Sequence, residues 1–98
     1  MKQVTKEIFI QFLKDNDFYD AWMNAYDLDN ELYQEIVSLD KFFENSSPTS
    51  WMYYGISAMS FSPNYKDENL NNIITDWRKK NLTKWISLDD KWNDFVNN

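Results

Sequence analysis

The sequence predicts an all-α fold, a compact bundle of five to six short helices around a central apolar helix, forming one domain over residues 1–98. Three observations carry that expectation. Apolar residues recur at intervals of three and four along most of the chain; no two runs alternate polar and apolar residues as paired strands would; and only one glycine, Gly55, interrupts 98 residues. Punctuation therefore falls to Asn, Asp and Ser-Pro steps. A chain of this size buries about 60 to 70% of its unfolded surface, enough for a single core.

The first helix is expected after Thr5 as N-cap, with Ile8, Phe9, Phe12 and Leu13 on one face. Asp15 to Asp17 reads as a break and a new cap, followed by a short second helix carrying Phe18, Trp22, Ala25 and Tyr26. Asp27 or Asp29 is expected to cap a third helix, in which Leu32, Ile36, Leu39 and Phe43 form a stripe that ends near Asn45. Ser47-Pro48 is a helix-start signal, because proline at the first helical position loses no hydrogen bond. The segment it opens, Thr49 to Phe61, is apolar on nearly all sides, as suits a central helix surrounded by others. After the Ser62-Pro63 turn, Asp67 or Asn64 opens a helix with Leu70, Ile73, Ile74 and Trp77 in register. Asp67 and Glu68 lie at its positive end and Arg78, Lys79 and Lys80 at its negative end, which favours both termini through the helix dipole. Beyond Asn81, Ser87 and Asp90 resemble a capping box for a last helix with Trp92, Phe95 and Val96 on its apolar face.

The chain contains neither cysteine nor histidine. Disulfides, thiolate and imidazole metal sites, and the Ser-His-Asp and Cys-His nucleophilic systems are thereby excluded. Gly55-Ile56-Ser57 begins like a nucleophile elbow but lacks the second glycine and any histidine base. Ser38 and Lys41 have the spacing of a Ser-Lys dyad without its companion motifs. Asp27-Leu28-Asp29-Asn30-Glu31 opens like a calcium loop, yet Leu32 stands where the sharp turn needs glycine and Ser38 where the bidentate glutamate belongs. One glycine cannot build a phosphate-cradling loop, and no carboxylate pair stands apart from the rest as acid and base. The expectation is no enzyme, no cofactor and no metal.

Nothing at the N-terminus resembles a secretory leader, so the cytoplasm is the expected location. The longest uncharged stretch, Asn45 to Tyr65, holds two prolines, six serines and two asparagines and is too polar for hydrocarbon. No membrane association is expected.

Charge is distributed unevenly. Nine acids (Asp15, Asp17, Asp20, Asp27, Asp29, Glu31, Glu35, Asp40 and Glu44) face Lys41 alone between residues 15 and 44, within a net charge of −6. On a helix Asp27, Glu31 and Glu35 project from one side, each about 6 Å beyond the last. Such a surface repels nucleic acid and attracts a protein with a basic surface; it also keeps an aromatic-rich chain soluble. Eighteen aromatic residues exceed what so small a core is expected to enclose. Surface rings are candidates for partner contacts: Tyr19, Tyr26 and Tyr33 beside the acids, and Tyr53, Tyr54 or Tyr65 around the uncharged segment. The predicted partner-binding set is Asp20, Asp27, Asp29, Glu31, Glu35, Tyr19, Tyr26 and Tyr33.

Glu7-Ile8-Phe9-Ile10-Gln11-Phe12-Leu13-Lys14-Asp15-Asn16 with Phe18-Tyr19-Asp20-Ala21-Trp22 resembles the opening of small phage and mobile-element helical proteins of unknown function. Ser47-Pro48-Thr49-Ser50-Trp51, the Ser62-Pro63 turn and Trp77 are similar to their second half. The scarcity of Ala, Gly, Pro and Arg also points to an AT-rich genome. The resemblance implies a product that binds and disables, or redirects, a host protein. A stoichiometric inhibitor of a defence or nucleic-acid-processing protein is the leading expectation. The alternatives are an immunity- or antitoxin-type protein capping a basic toxin, and a module that self-associates as a homo-oligomer.

Overall fold

The computed structural model describes residues 3–33, 37–60 and 62–98. Every regular element among them is helical: α1 (Lys6–Asp15), α2 (Tyr19–Tyr33), α3 (Leu39–Asn45), a 3₁₀ turn (Pro48–Ser50), α4 (Trp51–Tyr54), α5 (Ser57–Ser60) and α6 (Glu68–Asn97). The all-α expectation holds, while the division into helices differs at three places.

Helix α1 begins as expected, with the Thr5 hydroxyl accepting from the Ile8 amide. It ends in a Schellman motif: Asp17 N–H donates to Lys14 O at 3.1 Å and Phe18 N–H to Leu13 O at 2.8 Å. Asp17 occupies the left-handed position of that motif at φ 55°, where glycine is usual. Leu13 and Phe18, the two residues the motif brings together, are both buried.

The first difference is that α2 runs through Asp27 and Asp29 without a break. Either residue can cap a helix only if the preceding backbone leaves helical geometry, and nothing there forces it to. Ser38 caps α3 instead, accepting from the Lys41 amide, so the Ser38 and Lys41 spacing is that of a helix start. Ile36, expected in this stripe, lies outside the described residues.

The second difference concerns the central apolar segment, which is three short pieces. A 3₁₀ turn starts at Pro48, α4 follows directly, and the chain turns at Gly55-Ile56 before α5. Gly55 permits a close approach at this turn. A Cβ there would lie 2.2 Å from Cζ2 of Trp22, well inside the roughly 3.5 Å of an ordinary carbon contact. The segment remains central, with Trp51, Met52, Ile56, Ala58 and Met59 all buried.

The third difference is that the two predicted C-terminal helices are one. Asp67 caps α6 by accepting from the Leu70 amide, as expected. The helix then continues through Asn81 and Ser87, because no glycine or proline stops it and Ile74, Trp77, Trp85, Leu88, Trp92 and Val96 form one buried stripe. At about 1.5 Å per residue its 30 residues extend about 45 Å, comparable to the 42 Å long axis of the molecule.

Tryptophan organises the packing. All five indole N–H groups donate to main-chain carbonyls: Trp22 to Trp51 O (3.2 Å), Trp51 to Ser46 O (3.3 Å), Trp77 to Ala21 O (3.0 Å), Trp85 to Met52 O (3.3 Å) and Trp92 to Pro48 O (2.7 Å). Three of these donors lie along α6 and reach α2, α4 and the 3₁₀ turn. Each ring thus supplies apolar area and also satisfies its one polar atom. Phe9, fully buried, packs against the rings of Trp22, Phe43, Trp51 and Trp92 at centroid distances of 5.4, 5.9, 5.7 and 4.9 Å. It joins the N-terminal helix to the rest of the core.

Candidate interaction groove between helices 2 and 6

Helix α5 is a single turn, too short to persist alone, and charged side chains from its neighbours hold both ends. At its start, Asp29 of α2 accepts from the Ser57 hydroxyl at 2.9 Å and the Ala58 amide at 3.1 Å; at its end, Arg78 of α6 donates to Met59 O at 3.2 Å. The Ser57 hydroxyl is thereby used in a helix cap. With α5 packed against both α2 and α6, an open groove of about 600 Å³ lies between the two longer helices.

The helices forming the groove walls are antiparallel. At one end Ala21 meets Trp77 through the indole hydrogen bond; at the other Leu32 faces Asp67 and Leu70 across a continuation of the cleft that shares Leu28, Glu31 and Ile73. Apolar lining comes from Ala21, Leu28, Met59, Ile73 and Trp77, and charge from Asp27, Glu31, Asp76 and Lys80. Ile73 is 44% exposed, beside the fully buried Ile74.

A second open groove of similar volume lies on the other side of α2, lined by Met23, Tyr26, Asn30, Val37 and Leu39 together with Asp27 and Glu31. These two carboxylates, both exposed and one helical turn apart, therefore form a ridge between two depressions, the first of mixed apolar and polar lining and the second more apolar.

The predicted partner-binding residues separate into distinct environments. Asp27 and Glu31 stand together on the ridge. Asp20 is exposed on the same stripe of α2 nearer its N-terminus, but borders a separate shallow depression with Lys14, Asp17 and Tyr19. Tyr19 is half-buried, and the Lys14 ammonium sits 5.1 Å from its ring centroid. Asp29 is occupied as the cap of α5. Tyr26 corrects the expectation of a surface ring: it is 6% exposed, stacks on Trp22 at 5.4 Å, and its hydroxyl donates to Val37 O at 2.7 Å. Glu35 and the side chain of Tyr33 lie outside the described residues. Of the other tyrosines considered, Tyr54 is the one most clearly at the surface, at 53% exposed, while Tyr53 and Tyr65 are half-buried.

Sequence reasoning placed Ile73 in the core stripe and Lys80 at a helix C-terminus, and assigned none of Leu28, Met59, Asp76 or Lys80 to a binding surface. A signal was available in Ile73-Ile74, since adjacent helical residues point about 100° apart and only one can face the core centre. Ile74 does, in phase with Trp77, Trp85 and Leu88 of the buried stripe.

The stretch from Asp27 to Glu31 lies on a continuous helix and cannot wrap a cation as a calcium loop does. No group of three or more acidic side chains among the described residues is placed to hold a metal ion. No helix among them is long and apolar enough to cross a membrane. The fold and groove together define an acidic, aromatic-cored all-α domain. Comparison with protein-family models, curated proteins and solved structures finds no match.

Proposed function

We propose that this chain is a small acidic protein-binding module that acts stoichiometrically, as a phage- or mobile-element-encoded inhibitor of a host defence or nucleic-acid-processing protein. The observation that carries the binding role is the Asp27 and Glu31 ridge, exposed and flanked on both sides by depressions that include apolar side chains. Charge beside uncovered apolar surface is the composition of a protein contact, with apolar area supplying affinity and charge supplying orientation and rate. The negative ridge disfavours a nucleic-acid backbone and favours a basic protein surface. The phage setting rests on the resemblance of the first helices and the Ser-Pro turns to such proteins.

Capture from host lysate with wild-type protein and with Asp27→Lys/Glu31→Lys tests this reading. The wild type is expected to retain a stoichiometric partner in low salt, and the charge-reversed protein to lose it. Equal retention of the same partner by both proteins removes the ridge from the binding surface.

A further inference from the structure

We propose that the groove between α2 and α6 receives a basic amphipathic α-helix of the partner, with its apolar stripe on the groove floor and its lysines and arginines against the rim. The proposal rests on the protein-binding reading above and specifies which part of the partner enters and where. Four carboxylates border the cleft and its continuation, Asp27, Glu31, Asp67 and Asp76, against the single ammonium of Lys80, a local balance of −3. A cationic occupant complements that rim. A purely hydrophilic cation would leave Leu28 and the 44% exposed Ile73 uncovered, so the occupant also needs an apolar face.

The length of the groove accommodates a short helix. The wall formed by α2 from Ala21 to Leu32 is about 16 Å long, the length of about three helical turns. A helix of that length presents apolar side chains at i, i+3 or i+4, and i+7 to a groove between two others. A β-strand occupant would require a sheet edge to extend, and there is no strand among the described residues.

The test uses the full chain, isotopically labelled, and two synthetic Leu/Lys peptides of identical composition, each about 14 residues long. One is patterned as an amphipathic helix and the other is scrambled to remove the apolar face. The amphipathic peptide is expected to bind one to one and at least about tenfold more tightly than the scrambled one. Amide shifts should concentrate at Leu28, Ile73 and Asp76, with a shift of the Trp77 indole N–H. Ile73→Ser, at a 44% exposed position and with helix content checked by circular dichroism, should weaken the amphipathic peptide about tenfold. Asp27→Lys/Glu31→Lys should weaken it comparably and flatten its salt dependence. Equal affinity for the two peptides, shifts outside the groove, or indifference to Ile73→Ser overturns the proposal.

Captured partner separates this proposal from the broader one. A partner lost on charge reversal but retained by Ile73→Ser leaves the acidic ridge as a binding surface and removes the groove-bound helix. A partner retained by both variants overturns both.

Discussion

Replacing Gly55 by alanine adds one methyl group at the tightest point in the core. Its carbon would fall 2.2, 2.3 and 2.5 Å from Cζ2, Cε2 and Nε1 of Trp22. Restoring ordinary contact requires the indole to retreat by about 1 Å or more. The ring has little freedom to do so: it is 1% exposed, near-parallel to the rings of Tyr26 and Phe43, edge-on to Phe9, and tied through Nε1 to Trp51 O. Overpacking of this kind costs about 1–3 kcal/mol, and a lost indole bond leaves a buried donor at about 1–3 kcal/mol. Against this, Gly55 has helical φ and ψ of −65° and −22°, so alanine gains up to about 1 kcal/mol of helix propensity. The net expectation is about 2–4 kcal/mol of destabilisation, which lowers Tm by roughly 10–30 °C in a domain of this size. Urea unfolding followed by circular dichroism should show a lower midpoint at unchanged slope. In a Trp22→Phe background the smaller ring leaves room for the methyl, so the cost of Gly55→Ala should fall by at least about 1 kcal/mol. A neutral or stabilising Gly55→Ala in the wild-type background would refute the close-approach argument.

Two further substitutions test local features of α1 and α6. Asp17→Gly should stabilise by about 0.5–1 kcal/mol, because glycine takes the left-handed C-terminal position without the steric cost borne by aspartate; an unchanged or lower urea midpoint would contradict this. Asp89 on α6 has a buried Oδ1 with no hydrogen-bond partner among the described residues, and its carboxyl is pushed above the usual aspartate range, first by desolvation and then by the neighbouring Asp90 charge. Its native state therefore holds its proton to higher pH than the unfolded chain, so its contribution to stability falls as pH rises from about 3.9 through the raised native value. Asp89→Asn should accordingly stabilise at neutral pH, with the advantage over wild type vanishing below about pH 3.9. Paired urea titrations across that range would reveal an advantage that persists in acid, the result that contradicts the assignment.

Legibility differed between helix starts and helix extents. Thr5, Pro48 and Asp67 were readable because a cap or an N1 proline is a local chemical requirement, met by one side chain and the amides of the next turn. The break expected at Asp15 to Asp17 falls at residues 16–18, and Asp17 there closes α1 in the left-handed position where it was expected to cap the next helix. Continuation was less readable: Asp27, Asp29, Asn81 and Ser87 are all residues that begin or end helices elsewhere, and here they lie inside them. Their local preference is outweighed by the buried stripe that continues on either side, most clearly in α6, where Trp77, Trp85 and Trp92 remain in register across Asn81 and Ser87. For the candidate site, the acidic face of Asp27 and Glu31 was legible from spacing. Its apolar neighbours were not, because Leu28, Met59 and Ile73 come from three helices brought together by packing.

From the chain alone came the all-α class, the absence of histidine and cysteine chemistry, the acidity of the first half and the aromatic excess, all properties of residue identity and short-range periodicity. Tertiary structure decided which of those residues are available at the surface. Tyr26 entered the core, since Trp22 offered a stacking face and Val37 O an acceptor. Asp29 turned to the start of α5, where unpaired amides needed an acceptor. Asp27 and Glu31 remained at the edge of a groove that exists only because one short helix, held by Asp29 and Arg78, lies between two long ones.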